Sequence, residues 1–484
     1  MKKISSLFLV CIMLIAVCVS CNSGEGNPSQ QTTDSQTVGG TETNPYGYEY
    51  PEDGFDGRKL VVLNTETQWS YFVDLDFEES PADPVEEAVF KRNRRLEDKF
   101  DFELDVQLVK DFDELDDRIA ELYRSQDDVY DVAYMPICRQ PSLISDGAFT
   151  DMAGIESIAW DQPWWDPQIQ DSLKINGKMF LATSAFQLSA YDGTWALFFN
   201  EDVLVDSNLE MPYQNVKDGT WTLDKFTEYV IAVSNLNGDE SYTWNESGNV
   251  FYGVAAHEDS VNYFARGAGI VYATCTDEGE FVVESGSERY FDTFEKLAAV
   301  LDETTGRTHV GSIHTDYSYI PCFTTQRALF FPCAMDACRG MLRKLDFTYG
   351  ILPFPKYDEM QTEYYSLIDV YSLYMTIPSQ NQDIEEVAEI MDLLSFESYM
   401  TVIPVYYDVA VEQKGLRNEE SREMLPYINE GRATDMALLY NAAEQLRGET
   451  ATKIYRGDYG SLASLLESQR KGIQRRLEGM FGKV

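Results

Sequence analysis

The sequence predicts an α/β protein of more than one domain, built on mainly parallel sheets flanked by helices. Strand-like apolar runs alternate with amphipathic stretches between residues 58 and 135, and a second such unit opens near residue 179. The chain has 484 residues, well beyond the roughly 100–200 of one domain.

Order is expected from Arg58 on. "RKLVVLN" reads as a buried strand, and "DPVEEAVFKRNRRLEDKF" follows as a helix. Asp83 supplies the N-cap, Pro84 the first helical position and Glu86 a capping box. Val85, Ala88, Val89, Leu96 and Phe100 share one face of that helix. "DFELDVQLV" returns as a strand. "DELDDRIAELYRSQ" is a helix with Leu115, Ile119 and Leu122 aligned, and "VYDVAYM" is the next strand. Such alternation implies right-handed crossovers and a parallel sheet, with ligand bound beyond the carboxyl ends of the strands. Those ends fall at residues 64–71, with Trp69, and 134–140.

"MFLATSAFQ" and "GTWALFFN" open the second unit. "GTWTLDKFTEYVIAVSN" is a helix start in which Thr222 is the cap and Trp221 packs on Phe226 as a hydrophobic staple, a structural role. "FTYGILPFP" and "SLIDVYSLYMTIP" read as strands, "DIEEVAEIMDLLSFESY" and "GSLASLLESQRKGIQRRLEGM" as helices.

The amino terminus has the layout of a secretion signal: Lys2 and Lys3, an apolar run to Val19, then Ser20 and Cys21. The run is shorter than the about 20 residues that span a bilayer. Cys21 resembles the acylated cysteine of a bacterial lipoprotein lipobox, although Cys18 stands where that motif usually has Leu. Residues 22–50 are polar, rich in Gly, Ser, Thr and Asn and without apolar periodicity, the composition of a disordered tether.

Lys plus Arg number 38 against 82 Asp plus Glu, a net charge of −44. That charge argues against nucleic acid and anionic lipid surfaces as partners. The basic runs "KRNRR" and "QRKGIQRR" read as solvated helix faces. Of eight cysteines, Cys138, Cys275, Cys322, Cys333 and Cys338 remain in the body, and no CxxC pair suggests zinc. Cys333 and Cys338 lie near enough in "PCAMDAC" to pair, but free buried thiols are the expectation.

No nucleophile elbow, HExxH, Walker loop or GxGxxG after a strand occurs. His257, His309 and His314 suggest no metal site. "LNGDESYTWNE" (236–246) lacks the glycine position of an EF-hand and reads as a surface loop. No catalytic residue, metal or cofactor is expected. Aromatics are abundant, with 30 Tyr, 26 Phe and 7 Trp. Most build the core, but "WDQPWWDP" (160–167) fits neither a helix nor a strand face. Flat rings beside a few polar groups suit sugar rings, which makes Trp164 and Trp165 candidates for ligand contact.

"NGKMFLATSAFQLSAYDGTWALFFNEDVL" followed by "VKDGTWTLDKFTEYV" resembles the extracellular solute-binding proteins of bacterial ABC importers, in particular their sugar-binding group. "AVFKRNRRLEDKF", "YGILPFPKYDEMQTEYYS" and "VIPVYYDVAVEQKGLRNEESREML" also look like segments of lipoproteins in this family. The resemblance runs from about residue 58 to about 428. It implies a two-lobed periplasmic-binding-protein-like fold of type II, with the ligand cleft at the hinge. Residues 1–20 would be signal peptide and 21–57 lipidated cysteine and tether. Residues 58–181 and 344–374 would form lobe one, and 182–343 and 375–484 lobe two. Carried over by position, the family's ligand sites suggest Trp69, Tyr71, Tyr134, Arg139, Gln140, Ser184, Asp192, Trp195 and Tyr371. The implied function is capture of a solute, an oligosaccharide or other carbohydrate, by a monomer held by lipid to the outer face of the cytoplasmic membrane, which delivers it to permease subunits. A surface glycosidase on the same anchor remains the alternative, as does the same fold carrying a peptide, a polyamine or a metal chelate.

Overall fold

The computed structural model describes residues 44–66, 74–276, 278–284, 286–312, 317–412 and 419–482. Cys21, Trp69, Tyr71 and His314 lie outside them. The chain divides into Met1–Glu49 and Tyr50–Val484. In the first unit, Asn44 closes a short turn: its side chain accepts from the Tyr46 amide and donates to the Tyr48 carbonyl.

The body is built on two main sheets. The first has four strands in the order Tyr374–Thr376, Val132–Met135, Arg58–Thr65 and Phe102–Val109. Arg58–Thr65 runs parallel to both neighbours, in register from Arg58 opposite Phe102 to Thr65 opposite Val109. Tyr374–Thr376 closes one edge antiparallel. Leu60, Val62 and Leu63 are buried, as in a strand covered on both faces. The helix Pro84–Phe100 begins as its sequence dictates: Asp83 accepts from the amides of Val85 and Glu86, with Pro at the first turn.

The second sheet has five strands in the order Tyr349–Leu352, Trp195–Asn200, Ala328–Ala334, Tyr252–His257 and Thr308–Gly311. Its pairings are evenly mixed: Trp195–Asn200 is antiparallel to both neighbours, and Tyr252–His257 parallel to both of its own. Helix Leu223–Val233 starts at Thr222, which accepts from the Lys225 amide at 3.3 Å. Trp221 lies edge-on to Phe226 at 6.3 Å and donates to the Pro353 carbonyl. Its expected structural role is therefore what the packing shows.

Two segments run from one sheet to the other side by side. Ala182 and Met375 exchange backbone hydrogen bonds, Leu373 donates to the Ser189 hydroxyl at 2.8 Å, and the Asp369 amide donates to the Gly193 carbonyl at 2.8 Å. A methyl group on Gly193 would meet the Ser372 hydroxyl at 2.2 Å. Glycine there leaves room for the Ser372 hydroxyl of the other segment.

Several expectations need correcting. "MFLATSAFQ", expected to open the second unit, makes a single isolated bridge, Ala182 to Met375, and so lies along the first sheet's edge strand. "SLIDVYSLYMTIP" is two short strands, because Asp369 accepts from the amide two residues on at 2.9 Å and turns the chain between them. Tyr349–Leu352, expected in lobe one, is an edge strand of the second sheet. Helix Ile384–Thr401, expected in lobe two, packs on Pro84–Phe100, where the Arg92 guanidinium donates to the Ser398 hydroxyl at 2.7 Å. Cys138, Cys275, Cys322, Cys333 and Cys338 are all free. The 236–246 loop is held by Asp239, which accepts from the amides of Asn249 and Val250.

Candidate ligand cleft

The site begins at the carboxyl end of the first sheet. Beyond Val132–Met135 the chain makes a turn, Ile137–Arg139, that brings Cys138 and Arg139 to the sheet's edge. Opposite it, the turn at 369–372 presents Val370 and Tyr371. The third wall comes from the carboxyl-terminal part of the chain. Helix Met436–Leu439 contributes Leu438, and the start of helix Glu444–Tyr455 contributes Glu444 and Arg447, with Asn441 between them. Together these residues line a cavity of about 260 Å³. It sits where ligands bind in α/β sheets, outside the carboxyl ends of the strands.

Each wall has its own chemistry. Tyr371 is 38 % exposed, and burial of the rest of the ring raises its pKa, so the phenol stays a neutral donor and acceptor. Behind it the Asp369 carboxylate accepts three hydrogen bonds, from the Tyr371 amide (2.9 Å), the Tyr263 hydroxyl (2.9 Å) and the Trp195 indole (3.3 Å). Trp195 and Tyr263 stack with centroids 3.8 Å apart and planes 12° from parallel. Arg139 donates to Asp116 at 2.8 Å and to Asp113, and these contacts outweigh its burial and raise its pKa. Arg447 stands 3.8 Å from Asp259, and its Nε has no hydrogen-bond partner. Burial pushes the Cys138 thiol up to about 12, so it is a neutral apolar contact. The lining thus offers one half-exposed ring, two guanidiniums, an amide and one carboxylate.

Of the residues expected at the site, Arg139 and Tyr371 line this cavity and Trp195 stands one layer behind it. Gln140 ends the Ile137–Arg139 turn beside it. Tyr134 and Ser184 are buried. Asp192 is buried in an ion pair with Arg339 at 3.0 Å and also accepts from the Tyr406 hydroxyl at 2.9 Å. Its carboxylate therefore holds the fold together. Trp164 and Trp165 are 1 % and 0 % exposed. Both indoles donate to the same oxygen of Asp392, at 3.0 and 2.6 Å, which makes them core residues and corrects the reading of their Pro-broken stretch as a binding surface. The sequence reading missed Val370, Leu438, Asn441, Glu444 and Arg447. The one signal in that stretch is the Glu444, Arg447 spacing on a helix start, and it is common in a chain so rich in charge.

Two sheets joined by paired crossing segments, with a cleft at their strand ends, are the fold of the type II periplasmic binding proteins. Solved structures share it. A cyclo/maltodextrin-binding protein complexed with maltotetraose matches with a TM-score of 0.60 at 13% identity, covering 89% of this chain and 100% of its own. A sugar transporter from Rhizobium etli, in an open conformation, matches at 0.57 and 13%, covering 86% and 98%. An ABC substrate-binding protein from Listeria monocytogenes in complex with cycloalternan matches at 0.53 and 11%, covering 88% and 100%. These structures are of binding and transport proteins. No family model matches the sequence, and no curated protein matches it significantly. Among the described residues no helix is long and apolar enough to cross a membrane, and no cluster of three or more His, Cys, Asp or Glu could hold a metal ion.

Proposed function

We propose that the chain is an extracytoplasmic solute-binding protein that captures a carbohydrate in this cleft and hands it to an ABC importer. The observation that carries the reading is the cavity at the sheet's carboxyl end, where Tyr371 offers a ring face and Arg139, Asn441, Glu444 and Arg447 surround it with hydrogen-bonding groups. A sugar presents C–H faces to a ring and hydroxyls to such groups. The solved proteins of this fold named above include ones bound to maltotetraose and to cycloalternan. Ligand would favour a closed arrangement of the lobes through contacts from both sides of the cleft. On this reading Cys21 carries the acyl anchor, and the polar segment after it lets the body reach outward while staying beside its permease.

The test is thermal unfolding of residues 22–484 with mono- and oligosaccharides, peptides and polyamines. A ligand at a hundred times its Kd stabilises the folded state by about 2.7 kcal/mol. A shift with an oligosaccharide that stays intact supports the reading. Shifts confined to peptides or polyamines overturn it, and cleavage of the sugar moves the chain to the glycosidases.

A further inference from the structure

We propose that Asp369 is a positioning residue for capture, one that fixes the Tyr371 ring in the cleft by tying its turn to the aromatic pair of the second lobe. The inference rests on the carbohydrate reading for its function, but its geometry stands alone. Asp369 is buried and lies within one of the two segments that run between the sheets. Its two carboxylate oxygens divide their work. Oδ1 accepts from the Tyr371 amide at 2.9 Å, and so sets the turn that carries the ring into the cavity. Oδ2 accepts from the Tyr263 hydroxyl at 2.9 Å and the Trp195 indole at 3.3 Å, which belong to the second lobe. Its own amide donates to the Gly193 carbonyl on the other crossing segment.

One carboxylate therefore sets where Tyr371 stands relative to the second lobe. A carboxylate suits the position because all three of its partners there are donors, and an ionised carboxylate is acceptor-only. An amide of the same shape has one acceptor oxygen and one NH₂. Whichever way Asn turned, it would set a donor against a donor, at Tyr371 or at the Trp195 and Tyr263 pair.

The experiment uses the soluble chain, residues 22–484, carrying fluorotyrosine, with the Tyr371 fluorine signal identified as the one that Tyr371→Phe removes. Asp369→Asn is expected to move that signal toward its position in the unfolded chain; an unmoved signal overturns the proposal. Calorimetry with maltotetraose, acarbose and tagatose then reads the consequence. Asp369→Asn is expected to weaken binding of whichever sugar binds by about tenfold, the loss of about one charge-assisted hydrogen bond. In a Tyr371→Ala background it should cost nothing further, and additive losses overturn action through the ring. If Asp369→Asn does not fold, Tyr263→Phe removes one donor and leaves the carboxylate, and it should move the same signal. Failure of the unmodified chain to bind any of the three sugars counts against the carbohydrate reading, while the fluorine signal still decides the positioning.

Discussion

Replacing Asp392 with alanine tests whether Trp164 and Trp165 belong to the core or to a binding surface. One oxygen of Asp392 accepts from both indoles, at 3.0 and 2.6 Å, and from the Ala159 amide at 3.3 Å. Alanine leaves all three donors without that acceptor. Hydrogen bonds to a charged group contribute about 1.5–3 kcal/mol each, so the two indole bonds account for about 3–6 kcal/mol. Removing the carboxylate also removes the cost of burying it, which offsets part of the loss. A net loss of about 3–4 kcal/mol is expected. Unfolding entropy is about 2.1 cal/mol/K per residue. Over the body Tyr50–Val484 that comes to about 0.9 kcal/mol per degree. Calorimetry should therefore show Tm lowered by about 4 °C. Asp392→Asn can keep its carbonyl where the shared oxygen lies, and should cost about 1 °C. Sugar affinity should not change in either variant. A Tm drop below about 1 °C in Asp392→Ala would refute the magnitude. A Trp164→Phe or Trp165→Phe variant with normal Tm and lost sugar binding would return the tryptophans to the ligand site.

Arg447→Gln and Tyr371→Ala should each weaken sugar binding about tenfold, the loss of one strong contact, with Tm unchanged by more than a degree or two; titration calorimetry beside thermal unfolding checks both. Asp435, buried at the start of helix Met436–Leu439, has a pKa pushed up by burial to about 6, although it accepts from the amides of Tyr272, Ala437 and Leu438. The folded chain then keeps a proton that the unfolded chain releases near its ordinary value of 3.8, so the stability tied to this group is lost as pH rises from about 4 to about 6. Asp435→Asn should flatten that part of the stability profile by about 2 kcal/mol relative to the parent, seen in denaturant unfolding at a series of pH values. Gly193→Ala should cost about 1–3 kcal/mol by forcing the crossing segments apart at Ser372, read as a lowered urea midpoint. Residues 22–484, handled without reductant and then denatured, should titrate thiols at Cys138, Cys275, Cys322, Cys333 and Cys338; a missing pair would mean that Cys333 and Cys338 are bonded.

The elements of the first lobe were legible because each carries its own punctuation. Asp83 and Pro84 start one helix, Asp111 starts the next by accepting from the Glu114 amide, and the alternating run between them is the strand Phe102–Val109. Thr222 and Trp221 did the same for the second lobe. What the sequence could not carry was partnership across long separations. Tyr349–Leu352 and Ile384–Thr401 read correctly as a strand and a helix. Nothing local says that the first joins Trp195–Asn200 or that the second packs on Pro84–Phe100. The same limit explains the cleft. Arg139 and Tyr371 came from strand ends and family position, while Asn441, Glu444 and Arg447 reach the cavity only through the path of the carboxyl-terminal helices. The tryptophans of "WDQPWWDP" misled because their acceptor, Asp392, lies on a helix more than two hundred residues later.

The late arrival of Tyr374–Thr376 also constrains how the chain can be made. Its partner Val132–Met135 leaves the ribosome first, and the whole second sheet is synthesised before the closing strand follows. Until then the first sheet keeps an open edge, and helix Pro84–Phe100 lacks the cover of Ile384–Thr401. Closing so long a loop costs entropy before any contact repays it, which slows the last step of assembly. Val132–Met135 is meanwhile an unpaired edge strand, the kind of edge that pairs wrongly and that chaperones cover. The nested order of the strands thus leaves the first sheet incomplete until Tyr374–Thr376 has been made.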